Sequence, residues 1–561
     1  MIEFAFPPGL VLVLGAFLIP TTEGRARRRL ILTLPLLTLI LVWLLPEGLD
    51  LRLPFLDFAL DPTHSTAAGR LFATVFALMA FVGGLYALHQ AKTLELVAAY
   101  LYAGAAIGVT FAGDLITLFV YWELMAIGST AILFVAGTEF ARRAALRYLL
   151  VHLLGGVILM AGISALLVET GDLSVRILEP TSLATVLILI GLLVNAGAPP
   201  LSAWIADAYP EASPSGTVFL SAFTTKTAVF ALLVMFPGAE VLIWIGLYMV
   251  FYGIIYALLE NDMRRILAYS IVNQVGFMVC AIGIGTELAL NGAAAHAFAH
   301  IIYKALLLMS AGSVLAMTGK RNCSDLGGLF QSMPLTTLHG IIGALAISAF
   351  PFTSGFVTKS LETSAAADEG LVVVWLLLLA ASAGVFLHAG IKFPWFVFFQ
   401  KDSGLRPPEP PRTMRGAMWI FSFLCLYLGL FPQPLYAILP YPIEVQPYTL
   451  EHVITQLQLL LFAGFAFFVL LDQMKRTPTI SLDFDWVYRR FFKSLAQAVM
   501  VRIASVHADL ERRAFQRIQA FIDRLYAHHG PESALARTWP TGSMVLWVAI
   551  MLGGTLLLFS L

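Results

Sequence analysis

The stretch HAFAHIIYK sets His296, His300 and Lys304 four residues apart within an apolar run from about Leu288 to Met317. On an α-helix each four-residue step turns about 400° and rises ~6 Å, so the three bases form a slanting stripe on one face, ~12 Å long. Histidine exchanges protons near neutral pH, and the basicity of lysine is tuned by its surroundings. Such a stripe suits proton transfer through intervening waters. An HxxxH pair on one helix also suits zinc, but no third ligand lies nearby in sequence and Lys304 adds a positive charge one turn away. A hydrogen-bonded pair with a purely structural role is the remaining reading.

Three more charges interrupt apolar segments: Glu123 in LITLFVYWELMAIGST, Lys226 in SAFTTKTAVFALLVMF and Lys359 in FPFTSGFVTKSL. A charge at a bilayer centre costs at least ~2.5–3.5 kcal/mol, so each marks a functional site by default. Glu123 and Lys226 have the types needed for an ion pair that opens and closes. SAFTTK (221–226) and SGFVTK (354–359) read as copies, each following helix breakers. Paired interruptions of this kind point to discontinuous transport helices whose freed backbone lines a hydrated interior. Asp114, nine residues before Glu123, faces the opposite side of the helix and reads as an end residue.

The elements that must position these residues are membrane helices. The chain has 561 residues, 59% hydrophobic and 12% charged, with a mean hydropathy of +0.85. Apolar runs recur along almost its whole length and give roughly fourteen to sixteen candidate spans. A β-barrel would instead show short alternating segments. The net charge of zero gives no support to nucleic-acid binding. Three cysteines, Cys280, Cys323 and Cys425, form no CxxC pair, so disulfides and iron–sulfur clusters find none either. The first apolar run reads as a retained helix, and Arg25, Arg27, Arg28 and Arg29 place the next connection in the cytoplasm.

From Asp483 to His529 apolar and basic residues interleave at helical spacing, with Ser481, Asp483 and Asp485 available as caps and Gly530 and Pro531 as the stop. This reads as an interfacial amphipathic helix, against the alternative of a solvated helix with no partner. The expected organisation is N-terminal membrane helices over 1–90, a core over 91–400, further membrane helices over 401–480, a lateral amphipathic helix over 481–530 and a final span over 531–561.

The segments YWELM, PPLSAWIADAYPEASPSGTVFLSAFTTK, NDMRRILAYSIVNQVGFM, HAFAHIIYKALLLMSAGSV and FPFTSGFVTKSL resemble, in order, the antiporter-like subunits of respiratory complex I and the Mrp-type Na+/H+ antiporters. LRYLLVHLLGGV is closer to the D-type Mrp subunits, whereas the C-terminal amphipathic helix is similar to the lateral helix of the distal complex I subunit. The resemblance implies an all-α polytopic fold with two inverted five-helix repeats, each with a discontinuous helix. It implies a glutamate–lysine pair at Glu123 and Lys226, central bases at His296, His300 and Lys304, and a distal lysine at Lys359. Arg264 stands where many relatives carry lysine; arginine does not release a proton at useful pH, so its role is electrostatic or structural. Tyr209 replaces a histidine frequent in relatives, which weakens any proton role for that loop.

The function implied is a proton-translocating subunit of a multi-subunit cation/H+ antiporter, an ion-transport subunit rather than an enzyme in its own right. The alternatives are the pump module of a redox-driven complex, or a subunit for inorganic-carbon uptake; a scaffold with vestigial charges is disfavoured by the intact series. No cofactor or metal is expected. The expected partners are other membrane subunits, protons and Na+, in a prokaryotic-type inner membrane.

Overall fold

The structure is a computed structural model that describes residues 6–55, 58–474, 482–531, 533, 536 and 539–561. Three helices come first: α1 (Pro8–Leu18), α2 (Gly24–Leu44) and α3 (Ala67–Ala87), with a hairpin of β1 (Leu53–Phe55) and β2 (Phe58–Leu60) between the last two. The central helices are α4 (Thr93–Thr110), α5 (Leu115–Val135), α6 (Glu139–Thr170), α7 (Leu183–Ala196), α8 (Ala203–Ala208), α9 (Pro214–Leu220), α10 (Thr224–Met235) and α11 (Val241–Leu259). Then come α12 (Met263–Ile284), α13 (Glu287–Thr318), α14 (Pro334–Ile347), α15 (Ser354–Asp368) and α16 (Val372–Val385), the last continuing through π-helical turns over Phe386–Lys392 and Trp395–Phe399. α17 (Arg412–Leu430), α18 (Gln433–Tyr436) and α19 (Leu450–Val469) close the first compact unit, which ends at Asp485.

Among the described residues, twelve helical segments are long and apolar enough to cross a membrane, joined by three shorter apolar helices, α1, α7 and α14. The chain is therefore a polytopic helical membrane protein, with twelve such segments among the described residues where the sequence reading gives roughly fourteen to sixteen. One helix was not legible there. α15 has too many polar residues, in SGFVTKSLETSAAAD, to read as a span, yet most of it is buried.

Two copies of one five-helix unit make up the core, and their ends coincide. α4, α5 and α6 begin at Thr93, Leu115 and Glu139; α11, α12 and α13 begin 148 residues later, at Val241, Met263 and Glu287. The caps repeat as well. Asp114 and Asp262 each accept backbone N–H groups at the start of α5 and α12. Thr138 and Thr286 cap α6 and α13, and Gly171 and Gly319 end them in the left-handed region, both at φ 68°. Capping oxygens satisfy N–H groups that a helix start leaves without partners. α6 and α13 both run 32 residues, and α7 and α14 both run 14.

After these matched helices each copy breaks at a left-handed residue followed closely by proline: Gly197 (φ 80°) before Pro199, and Ala349 (φ 56°) before Pro351. The chain resumes as α8 in one copy and α15 in the other. Five spans per copy is an odd number, so the second copy enters the membrane from the opposite side; the repeats are inverted.

The second compact unit spans Trp486–Leu561. It holds a π-helical turn over Val487–Phe491, α20 (Phe492–His529) and α21 (Thr541–Ser560). α20 has 38 residues, about 57 Å at ~1.5 Å per residue. Arg502, Arg512, Arg513, Arg517 and Arg524 alternate along it with Val499, Ile503, Phe515, Ile518 and Leu525, all exposed. Asp483 does not cap this helix as expected. It is buried in the first unit, where the hydroxyls of Tyr252 and Tyr269 donate to its Oδ2 at 2.6 and 2.7 Å. Ser481 lies outside the described residues.

Candidate functional site

α13 carries the stripe through the centre of the bundle, and His296, His300 and Lys304 are all fully buried. His296 is held on both sides of its ring. Nδ1 lies 2.9 and 3.0 Å from the two carboxylate oxygens of Glu362, and Nε2 lies 2.8 Å from the Tyr303 hydroxyl and 3.2 Å from Gln274 Oε1. Tyr303 in turn donates to Gln274 Oε1 at 3.0 Å. His300 differs: neither ring nitrogen has a hydrogen-bond partner among the described residues. Its ring centre is 6.1 Å from that of His296, matching one helical step. Lys304 Nζ donates to Ser270 Oγ at 2.8 Å and to the carbonyl of Leu267 at 3.4 Å. Among the described residues no zinc-like ligand set gathers at the two histidines; the neighbouring carboxylate, Glu362, hydrogen-bonds to one of them.

Lys359 lies on α15, one turn before Glu362. Its Nζ donates to the carbonyl of Ile347 at 2.7 Å, at the end of α14, and sits 5.1 Å from the centre of the Phe277 ring. The broken helix thus supplies both the lysine and a freed carbonyl that holds it, as backbone interrupted within a membrane requires. A cavity of about 220 Å³ opens beside Lys359 and is lined by Thr363, Ser382, Glu451, His452 and Gln456.

Lys226 is fully buried at the start of α10 and donates to the carbonyl of Ser221 at 2.8 Å and to Thr225 Oγ1 at 3.0 Å. The expected pair with Glu123 is not formed. Glu123 Oε1 accepts no hydrogen bond among the described residues, and its carboxylate instead lies against Gly156, where an added Cβ would stand 2.1 Å from it. The reason is local: the Ser221–Phe223 interruption presents a carbonyl within reach of the lysine, and the bare backbone of Gly156 makes room for the glutamate.

Nor are Lys226 and Lys359 copies of one position. Ten residues past the left-handed break lies Lys359 in one repeat and Asp207 in the other. Asp207 receives a two-pronged hydrogen bond from Arg147, at 2.7 and 2.8 Å. Lys226 follows a separate break, between α9 and α10, so the match between SAFTTK and SGFVTK joins unlike places.

Arg264, near the start of α12, is buried and serves the first broken segment. Its guanidinium donates to the carbonyls of Pro210, Ala212 and Ser213 at 2.8, 2.9 and 3.0 Å, and also to Thr217 Oγ1. These groups flank the start of α9, where the Ser213 carbonyl also accepts the Thr217 N–H at 3.1 Å and those of Pro210 and Ala212 depend on the guanidinium. Ser213 and Ser215 donate to the buried carboxylate of Glu95 from the same turn. Tyr209 packs among aromatic rings, 5.6 Å from Trp204 and 6.4 Å from Tyr148. Asp114 caps α5 and also accepts from the Asp61 backbone.

Sequence reasoning missed Glu362, Glu95 and Lys392. Lys392 donates to the carbonyl of Ala257 at 3.1 Å and that of Glu260 at 2.6 Å, at the end of α11. The rule that flagged Lys359 would also have flagged Glu362, three residues on, had α15 been read as a helix.

The arrangement is a row of buried basic groups with one histidine-bound carboxylate and one, Glu123, whose Oε1 has no hydrogen-bond partner among the described residues, set at two helix breaks. Known proteins share its framework. The family described as NADH:quinone oxidoreductase/Mrp antiporter, TM, matches residues 112–385. The D-type subunit of the Na(+)/H(+) antiporter of Alkalihalophilus pseudofirmus is 31% identical over 356 residues, 57% of this chain and 72% of that protein. Among solved structures, a chain of the Mrp complex from Dietzia sp. aligns with a TM-score of 0.68 at 21% identity, over 77% of this chain and 95% of that one. A chain of respiratory complex I from Thermus thermophilus aligns at 0.69 and 20% identity, over 81% and 99%. Matched repeats, breaks and relatives together make this chain a member of the family of membrane subunits common to NADH:quinone oxidoreductases and Mrp antiporters.

Proposed function

We propose that this chain is a proton-translocating subunit of a multi-subunit cation/H+ antiporter in a prokaryotic plasma membrane. The observation that carries the reading is the burial of Lys226, His296, His300, Lys304 and Lys359 in one helical bundle. Isolated, each charged base would be costly there; together with Glu362 and Glu123 they can hold and exchange protons. In this reading His296, bridged between Glu362 and Tyr303, passes protons toward Lys359 and its cavity. His300, without a hydrogen-bond partner at either nitrogen among the described residues, links His296 to Lys304, and Lys226 continues the row in the first repeat. Arg264 keeps the break before α9 in shape and carries no proton.

The Alkalihalophilus relative, named as part of an Na(+)/H(+) antiporter, supports cation exchange with Na+ as a candidate ion. A second reading, the pump module of a redox-driven complex, rests on the fold likeness to respiratory complex I. Both readings need membrane partners, and the exposed basic and apolar face of α20 suits contact with a neighbouring subunit or an anionic membrane surface.

The test is proton flux in vesicles holding the assembled complex, driven by Na+ or K+ and read with an internal pH dye. Lys226→Ala is expected to abolish cation-driven flux while assembly stays normal. Unchanged flux in that variant would contradict the proposal, and flux that needs an added electron donor would favour the redox reading.

A further inference from the structure

The register that matches α6 to α13 gives the first repeat a stripe of its own. Tyr148, His152 and Gly156 precede His296, His300 and Lys304 by 148 residues each. The second histidine of the stripe is thus present in both repeats. Where the second repeat has lysine, the first has the glycine on which the Glu123 carboxylate rests.

His152 is 2% exposed. Its Nδ1 lies 3.1 Å from the Tyr148 carbonyl. A carbonyl only accepts, so Nδ1 carries the hydrogen and Nε2 presents a lone pair. The ring stacks on Tyr148 at 3.9 Å and meets Trp204 edge-on at 4.7 Å, which fixes its plane. His152 Nε2, Glu123 Oε1 and Asn195 Oδ1 are buried without a hydrogen-bond partner among the described residues. The last two border the adjacent Gly155 and Gly156, and an added Cβ at Gly155 would stand 3.7 Å from Asn195 Oδ1. Buried polar atoms are nearly always satisfied, so three such atoms around one helical turn need an explanation that packing does not supply. On the other side of His152, the Tyr148 hydroxyl donates to Ser129 Oγ at 3.0 Å and lies 3.3 Å from Thr224 Oγ1, two residues before Lys226.

We propose that His152 is a proton carrier of the first repeat, joining Glu123 to the hydroxyl cluster beside Lys226. In the forward step the O–H bond of the Glu123 carboxylic acid breaks and an N–H bond forms at His152 Nε2, leaving a carboxylate and an imidazolium. The imidazolium then loses that proton from Nε2, and the neutral amine of Lys226 gains one along the hydroxyls of Tyr148 and Thr224. No electron is transferred. Glu123 and Lys226 need not touch, which fits the hydrogen bonding of Lys226 to Ser221 and Thr225 rather than to Glu123.

The inference rests on the proposed proton transport, and a control separates the two. In vesicles holding the whole complex, proton flux is compared for the wild type, Lys304→Ala and His152→Gln. Glutamine keeps a donor for the Tyr148 carbonyl but cannot hold an extra proton. His152→Gln is expected to assemble normally and to lose about 100-fold in flux, the lower end of the usual contribution of a positioned proton-transfer group. Wild-type flux in His152→Gln, with flux lost in Lys304→Ala, would overturn the role of His152 alone. Wild-type flux in both would overturn the proposed function as well. Should glutamine disturb assembly, Gly156→Ala decides: its methyl group displaces the Glu123 carboxylate, the movable end of a side chain, and leaves the histidine in the sequence. Flux is then expected to fall several-fold at unchanged assembly, and wild-type flux would count against the proposal.

Discussion

In the first repeat the polar face of α6 carries Tyr148, His152 and Gly156 and receives one carboxylate, Glu123, which makes no hydrogen bond through Oε1 among the described residues. In the second, the matching face of α13 carries His296, His300 and Lys304, and Glu362 from α15 is hydrogen-bonded to the first histidine. Two pairs of helix lengths, two pairs of caps and the left-handed breaks coincide between the copies, yet their charges do not. Past the break, Asp207 is tied to Arg147, whereas Lys359 has a helix-end carbonyl and an aromatic face. One scaffold therefore holds a mostly neutral, aromatic half and a strongly basic half. Inverted repeats make two half-paths geometrically available; the side chains decide what each half does.

The largest effect should come from the support common to both halves, because Arg264 on α12, in the second repeat, holds the connection between α8 and α9 in the first. Arg264→Met strips the donor from two buried carbonyls, those of Pro210 and Ala212. Each unsatisfied group costs about 1–3 kcal/mol, so the variant should fail to assemble or melt at a clearly lower temperature. A normal melting curve would mean the break holds itself. Next, Glu362→Gln removes the carboxylate that orients His296 and the charge that balances the basic half. Flux should fall about 100-fold, within the span for positioned acid–base groups, with assembly retained. An unchanged flux would leave the two halves electrostatically equivalent. The smallest effect concerns the breaks. Ala349 takes the left-handed conformation that Gly197 takes in the other copy, at a cost of roughly 1 kcal/mol for a residue with a Cβ. Ala349→Gly should stabilise slightly and Gly197→Ala should destabilise, as chemical unfolding of the complex would show. Equal shifts of one sign would break the equivalence of the two positions.

Much of this could be read from the chain itself. The stripe, Glu123, Lys226 and Lys359 stood out because a charge in an apolar run is costly and rare. The equivalence of the two halves was harder to see. It lies in cap residues such as Asp114 and Asp262, or Thr138 and Thr286, which are too common to signal alone and become evident only when helix ends are known. The short match between SAFTTK and SGFVTK misled for the opposite reason: similar letters follow two different breaks. Glu362 was hidden by composition, since α15 buries itself through packing rather than through apolar content. The Glu123–Lys226 pair failed on a matter of reach that only coordinates reveal, the carbonyl of Ser221 beside the lysine and the bare glycine beneath the glutamate.

The basic half is proposed to move protons rather than merely present charge. Lys304 separates the two most cleanly, because arginine preserves its charge but does not release a proton at useful pH. Cation-driven proton flux should be measured for Lys304→Ala and Lys304→Arg in the assembled complex. Both variants are expected to lose flux alike, by about 100-fold, with the arginine variant normally assembled. Flux retained in Lys304→Arg but lost in Lys304→Ala would contradict proton transfer through this lysine and leave the stripe an electrostatic device.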